Sequence, residues 1–456
     1  MSSLQSTQVK IWYFITFLLG LIEGMIGTFF PLVFVAQGGS LFQLSLILSL
    51  VSLVGAFQSL WGSFLDRFHK PKLLGSSSLL IQSGTIFTMA LSGSPQMFGG
   101  ARVGNSLSTS AYNNANAYLR SSYFSNSRRG RMGNLFVGFN LLGVAFGVFS
   151  TGLIYNKIGF KQFSLIHLLA AILSLMVLVL FFFFLPEFRE DLVQDEQLRF
   201  AMIEERADLN YSMKDIITLS RKSKGLLLFI LVNLVFNFSV GLSGPFFIIE
   251  MSERWSLNTL EIGLITTFNA VLQVLIIFLF TPVVDIINRK MGFTIGIALA
   301  IIPVIAMVMP TTIISVFGSS FIFWMVVYAI SSIGWGLVNA LSLTLLIDYV
   351  NPKVRGSVIG IYGSLQALVT FFAGLVAAVL IVLFPSTILI FYLSIIGRIT
   401  ALILLFFTNR PPLPSSDYYI QRKIFFSRFS ASFERGVVWI PVVGKILTRI
   451  RRQDRR

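Results

Sequence analysis

The sequence predicts an all-α integral membrane protein of twelve transmembrane helices in two six-helix halves. Three observations carry that prediction. The 456-residue chain is 55% hydrophobic and 12% charged, about half the charge of an average soluble domain. Its apolar residues fall in runs of about 20, the length of α-helix that crosses a bilayer core. Landmark residues also recur at an offset of about half the chain, so one design is used twice.

Backbone groups in hydrocarbon must find hydrogen-bond partners within their own segment, so each run reads as a helix. In order the spans are Ile11 to Val35, Phe42 to Phe64, Leu73 to Ser92, Phe98 to Leu119, Gly133 to Tyr155 and Phe163 to Leu185. The second half continues with Leu226 to Ile249, Ile262 to Val284, Phe293 to Thr312, Phe317 to Ile347, Ser357 to Phe384 and Thr387 to Phe407. The first run is too long for a signal-peptide core and no small-residue cleavage site follows it, so it is expected to remain as a span.

Lys and Arg set the orientation. Arg67, Lys70 and Lys72, then Arg120, Arg128, Arg129 and Arg131, then Arg289 and Lys290, then Lys353 and Arg355 all follow even-numbered spans. The first, third and last connections after odd-numbered spans carry none. These basic loops, and both termini with them, are expected in the cytoplasm of a cell whose plasma membrane holds the chain. The net charge of +16 is accounted for by this topology and a basic tail, without a nucleic-acid partner. No cysteine and two histidines leave no disulfide, thiol catalyst, Cys-based cluster or His-rich metal site. No nucleophile triad or phosphate loop is visible, so neither an enzyme nor a cofactor is expected.

The halves are residues 1–186 and 225–408. Ser40-Leu-Phe-Gln-Leu-Ser before the second span resembles Ser256-Leu-Asn-Thr-Leu-Glu before the eighth, and Gly24-x-x-Gly27 matches Gly241-x-x-Gly244. Asp66 with its basic cluster recurs as Asp285 with Arg289 and Lys290, and Arg129-Gly130 recurs as Arg355-Gly356. Between the halves, residues 187–224 interleave nine acidic and seven basic residues. Leu192, Val193, Phe200 and Ile203 share a face there within roughly 100°, interrupted by Glu196, which reads as a cytoplasmic amphipathic helix. Parallel repeats joined by a charged loop place a binding site near the midplane between them. The tail, residues 409–456, holds eleven basic and three acidic residues among Phe425, Phe426, Phe429, Phe433 and Trp439. It is expected to lie on anionic lipid headgroups, with a protein partner as the alternative.

Gly62-Ser-Phe-Leu-Asp66-Arg67-Phe-His69-Lys70-Pro-Lys72 resembles the loop signature of the major facilitator superfamily, G-x-x-x-D-R-x-G-R-[RK]. His69 stands at the glycine position, so the turn is expected to form without positive φ. The second copy keeps Asp285, Arg289 and Lys290, with Thr281 at the glycine position. Arg129-Gly-Arg-Met-Gly133 is similar to the superfamily's twelve-helix drug/proton antiporter branch. Gly143-x-x-x-Gly147 and Gly152 follow, but Val148 stands where that branch's glycine-proline bend has its proline. The resemblance implies the major facilitator fold, a monomer, and an Asp66 and Asp285 that latch the halves at the cytoplasmic ends, near Arg355-Gly356 for the first. The residues themselves fit: a carboxylate at a helix end followed by basic residues can pair locally or face another helix's positive end.

Outside the linker the acids are Glu23, Asp66, Glu250, Glu253, Glu261, Asp285, Asp348, Asp417, Glu434 and Asp454. Only Glu23 lies well inside a span, where a carboxylate costs about 2.5–3.5 kcal/mol and so marks a functional site. Thr16, Gly20, Glu23 and Gly27 cluster within roughly 60° of its helix. Glu23 is the candidate proton site, and a neutral interhelical hydrogen bond is the alternative. Arg102 is the candidate counter-charge, although rise per residue puts it roughly 9 Å further out. The resemblance supports it through its match to the arginine of the fourth-helix R-x-x-Q-G motif. Asn105, Asn113 and Asn116, with Thr109, continue its polar stripe. Asn233 and Asn237, Asn269 and Gln273, and Trp335 with Asn339 are candidate cavity residues of the second half.

These features predict a secondary active transporter of a small molecule, moving amphipathic or cationic compounds outward in exchange for protons. A proton symporter or facilitator for sugars or organic acids, with Arg102 meeting the substrate, is the alternative. A non-transporting receptor or scaffold is the other class; a buried acid and gating loops argue against it.

Overall fold

The computed structural model describes residues 3–123, 126–185, 225–287, 289–349, 355–384 and 386–408. The charged linker, its expected amphipathic segment and the basic tail lie outside these residues. Proline divides two spans. The first is Ser3–Gly27 followed by Phe30–Ala36, with Pro31 in the opening turn of the second piece. The seventh is Leu226–Ser243, a 3-10 turn Gly244–Phe246 holding Pro245, and Phe247–Glu253. A proline has no N–H to donate and its ring crowds the carbonyl four residues back, which favours a break at these two positions, whereas Pro303 sits within the unbroken helix Arg289–Val308. The second span also divides, into Leu41–Gly55 and Gln58–Phe68.

The other spans are Pro71–Ala90, Pro95–Tyr123, Asn126–Ile158, Phe163–Phe184, Thr259–Ile287, Arg289–Val308, Ser320–Tyr349, Arg355–Leu383 and Thr387–Phe407. Each overlaps the apolar run that predicts it, with ends shifted by up to several residues; Phe293 to Thr312, for example, ends at Val308. Among the described residues 11 helical stretches are long and apolar enough to cross a membrane. Pro95–Tyr123, the fourth span, is not among them, because Arg102 and the asparagines dilute it. Its place in the bundle is secured by packing against the second and third spans.

Packing repeats between the halves. The first span packs on the fifth and sixth, the third on the fourth and sixth, and the second on the fourth. The seventh packs on the eleventh and twelfth, the ninth on the tenth and twelfth, and the eighth on the tenth. Two seams join the halves, second span to eleventh and fifth to eighth. Capping fixes the internal register. Ser40 and Gln43 exchange side-chain to backbone bonds of 3.0 and 3.2 Å at the start of the second span. Asn258 and Glu261 do the same, at 2.9 Å each, at the start of the eighth. Such reciprocal caps satisfy otherwise orphaned N–H groups. Ser40 therefore corresponds to Asn258, which corrects the Ser40 to Ser256 correspondence by two residues.

Glycines set the first-to-fifth interface. A Cβ at Gly20 would stand 2.0 Å from the Asn140 carbonyl oxygen, one at Gly24 2.3 Å from that of Val144, and one at Gly147 2.2 Å from that of Leu21. The two backbones touch, as small residues allow in membranes.

His69 corrects a second expectation. It caps Gln58–Phe68 in the left-handed conformation, φ +52° and ψ +34°, so the turn uses positive φ without glycine. The helix ends there because an αL residue turns the chain out of the helix, and Pro71 opens the next span. That conformation costs an L-residue about 1–2 kcal/mol, part of which glycine would return as unfolded-state entropy. His69→Gly should therefore raise stability by about 0.5 kcal/mol. A thermal melt in detergent that shifts downward would contradict this.

Candidate functional site

A cavity of about 640 Å³ lies between the halves, within the about 300–1,000 Å³ of small-molecule sites. Gly27, Thr28, Phe30 and Pro31 reach it where the first span is interrupted, and Gly244 and Pro245 where the seventh is. The proline breaks thus put irregular backbone at the cavity wall, where it need not face lipid. The second span contributes Ser49 and Ser52, the eleventh Thr370 and Gly374, and the tenth Tyr328, Ser331 and Trp335.

The distal end of the bundle, which carries the turns at 37–40 and 254–258, is closed. Phe30–Ala36 packs on Phe247–Glu253 there. Thr259 Oγ1 donates to the Gly152 carbonyl at 3.3 Å and Thr267 Oγ1 to that of Ala145 at 3.0 Å. A Cβ at Gly152 would lie 2.8 Å from the Thr259 carbonyl oxygen.

Arg102 lines the cavity. Its Cζ stands 5.8 Å from the Phe30 ring, which stacks on Phe98 at 5.1 Å. A Cβ at Gly27 would lie 3.6 Å from Arg102 Nη2 and 4.0 Å from Glu23 Cγ, so acid and base flank one glycine. Glu23 is exposed on the Gly27 face of its helix, not buried. Among the described residues no carboxylate oxygen is in direct salt-bridge contact with Arg102, and its Nε lacks a hydrogen-bond partner. The vertical offset expected between them is taken up by the Arg102 side chain reaching back to Gly27.

Of the amide and Trp candidates, Asn237, Asn269 and Trp335 line the cavity. Asn237 Nδ2 donates to the Asn233 carbonyl at 2.8 Å, and Asn269 Oδ1 accepts from Ser332 Oγ at 2.7 Å. Trp335 packs on Phe236 at 5.7 Å. The remaining candidates do not line this cavity. Asn233 is buried and accepts from Ser342 Oγ at 3.0 Å, tying the seventh span to the tenth. Asn339 Nδ2 reaches Gln273 Oε1 at 3.4 Å, joining the tenth to the eighth. Asn116 Oδ1 accepts from Trp12 Nε1 at 2.7 Å, joining the fourth to the first. Asn105 is buried with Oδ1 unpartnered, and Asn113 is exposed; neither lines the cavity. A polar amide in a span satisfies itself most cheaply on the neighbouring helix, and helical spacing alone does not reveal which neighbour that is.

The sequence reading missed Arg398. It sits in the middle of the twelfth span, 2% exposed, at the cavity wall. Its Nη1 donates to the Ala300 carbonyl of the ninth span, its Cζ lies 5.9 Å from the Phe236 ring, and its Nε has no partner. Arg398 is the single charge in Thr387–Phe407, a signal as strong as that of Glu23; a search confined to carboxylates passes over it.

The loop residues gather at the other end of the bundle. Gly62 leaves open space where a Cβ would stand, Arg67 Cζ lies 5.5 Å from the Phe68 ring, and Lys70 precedes Pro71–Ala90. Arg289 opens the ninth span, and Lys290 Nζ donates to the Thr408 carbonyl. The side chains of Asp66 and Asp285 lie outside the described residues. No group of three or more His, Cys, Asp and Glu placed to hold a metal occurs among the described residues.

The sequence profile of the Major Facilitator Superfamily matches residues 12–238 and again 229–450. No curated protein sequence matches the chain. Among solved structures, a point mutant of the nucleoside transporter NupG aligns at TM-score 0.64 and 14% identity, over 89% of this chain and 99% of that one. The human organic anion transporter MFSD10 (TETRAN) aligns at TM-score 0.61 and 16% identity, over 88% of this chain and 99% of that one.

Proposed function

The chain belongs to the Major Facilitator Superfamily, a family of transporters rather than enzymes, and from that premise we propose that it is a proton-coupled secondary transporter. Its cavity between the halves is the substrate site, and Glu23 controls that site through Arg102. The carrying observation is the placement of Arg102 on the cavity wall with Glu23 beside it but not bonded to it. An ionised Glu23 draws the Arg102 guanidinium towards itself; a protonated Glu23 leaves that charge to the cavity. Proton and substrate then bind together and leave together, which is symport.

Alternating access follows from the seams. The distal contacts of Gly152 with Thr259 and of Phe30–Ala36 with Phe247–Glu253 close one end in this state. Rocking the halves about the cavity opens them and closes the other end, where Asp66 and Asp285 serve as the latch. By the distribution of Lys and Arg the distal end faces outward and both termini face the cytoplasm, in a plasma membrane whose anionic lipids hold the tail. The working unit in this reading is one chain, with residues 1–186 and 225–408 as its moving parts. Export of cations is the weaker reading, because among the described residues no carboxylate lines the cavity.

Lumenal pH in liposomes under an imposed proton gradient tests the coupling, with a panel of carboxylates, sugars and lipophilic cations added to wild type and Glu23→Gln. A solute-dependent proton flux in wild type, lost in the variant while labelled solute still crosses, is the expected result. Equal proton fluxes in both proteins would remove Glu23 from the mechanism.

A further inference from the structure

The cavity holds more positive charge than its own residues neutralise. Arg102 enters from the fourth span and Arg398 from the twelfth, so each half supplies one guanidinium. Each guanidinium carries five N–H donors. Arg398 spends one on the Ala300 carbonyl, and the Nε of both residues is buried without a partner. The charged and titratable groups near them are Glu23 and His167 beside Arg102 and Tyr328 beside Arg398. Glu23 is the single carboxylate among these, so among the described residues the two cations share at most one resident anion. A buried charge without a counter-ion is strongly disfavoured, and a planar guanidinium matches a carboxylate, sulfonate or phosphate through paired N–H bonds. Around this charge the wall is apolar and aromatic, with Phe30, Phe247, Tyr328 and Trp335.

We infer that the transported substrate is an organic anion with an apolar body, its acidic group held by Arg398 from one half and Arg102 from the other. The anion thereby neutralises both halves at once. Arg102 is lent to it when Glu23 is protonated, whereas Arg398, with no carboxylate beside it, is the permanent anchor. This inference rests on the transporter reading for its biological sense, but it is tested by binding alone.

Purified full-length protein in detergent is titrated with 1-naphthoate, 1-naphthalenesulfonate and 1-naphthyl phosphate, and with the neutral 1-naphthamide and the cationic 1-naphthylmethylamine, by calorimetry. At least one anion should bind saturably and about tenfold or more tighter than the amide, while the ammonium should not compete. Arg398→Met should weaken the anion by about tenfold or more, and Arg398→Lys, which keeps the charge and loses the fork, by less. Thermal melts establish that each variant is folded; the five probes on wild type decide the charge preference even if Arg398→Met is not. Binding of the ammonium in preference, binding of none of the three anions, or unchanged anion binding in folded Arg398→Met would overturn the inference. Anion binding without uptake into liposomes would instead remove the transport reading and leave the site standing. Proton-coupled uptake of a sugar or cation with no anion binding would do the reverse.

Discussion

Replacing Gly143 with leucine should cost about 3 kcal/mol or more and most of the folded yield, the upper range for overpacking. A Cβ at Gly143 would stand 2.0 Å from the Phe17 carbonyl oxygen and 2.8 Å from the Leu21 backbone N. Both obstacles are backbone, so no rotamer change relieves the clash; the first and fifth spans must move apart. Gly20, Gly24 and Gly147 form the rest of the same interlock, and separating the helices forfeits the dispersion contacts that hold membrane helices together. The matched control is Gly84→Ala, where no heavy atom lies within 4 Å of the new Cβ and helix propensity predicts a gain of about 0.5–1 kcal/mol. Size-exclusion profiles and thermal melts in detergent read both. A Gly143→Leu protein that elutes and melts like wild type would falsify the interlock.

Gly152→Leu meets a similar obstacle with a different consequence. Its Cβ would lie 2.8 Å from the Thr259 carbonyl oxygen and 3.1 Å from Gly263 Cα, but these belong to the opposite half. The backbone clash exists only while the distal seam is closed, because rocking the halves separates the two helices; the contact within its own half, Phe29 Cζ at 3.4 Å, is with a side-chain tip at ordinary packing distance. The protein should therefore fold, melt near the wild-type temperature, and lose about tenfold or more of its transport, since one of two required states is obstructed. The chain has no cysteine, so a single Thr28→Cys on the cavity wall reports access without background. Its labelling by a membrane-impermeant maleimide from the distal side should rise in Gly152→Leu. Loss of folded protein, or unchanged labelling, would mean that this seam does not open as proposed.

Gly143 and Gly152 stand nine positions apart on one helix, and nothing in the sequence tells them apart: both look like small residues for close packing. Tertiary structure assigns one to the interior of a half and the other to the seam between the halves. The same holds for the amides. Asn237 and Asn233 occupy one helical face, yet Asn237 lines the cavity and Asn233 is taken up by Ser342. A four-residue step rotates a side chain by only about 40°, enough to exchange a cavity for a neighbouring helix.

What the sequence determined by itself is the set of properties that the bilayer imposes locally. Run length and hydropathy specify the helices, because backbone in hydrocarbon has no other way to satisfy its hydrogen bonds. Half-chain recurrence specifies the repeat, whose register the caps at Ser40 and Asn258 then settle; the breaks at Pro31 and Pro245 were not read from the sequence, and Pro303 leaves its helix unbroken. Glu23 stood out in the sequence as a lone carboxylate within a span, and Arg398, a lone charge in Thr387–Phe407, stood out on the same ground but was passed over. Which polar residues face the cavity, that Arg102 reaches back to Gly27, that Glu23 is exposed rather than buried, and that His69 takes positive φ were decided by tertiary structure. The first three depend on the identity of a neighbour from another span, set by helix packing rather than by position along the chain, whereas the His69 conformation belongs to the tight turn between Phe68 and Pro71.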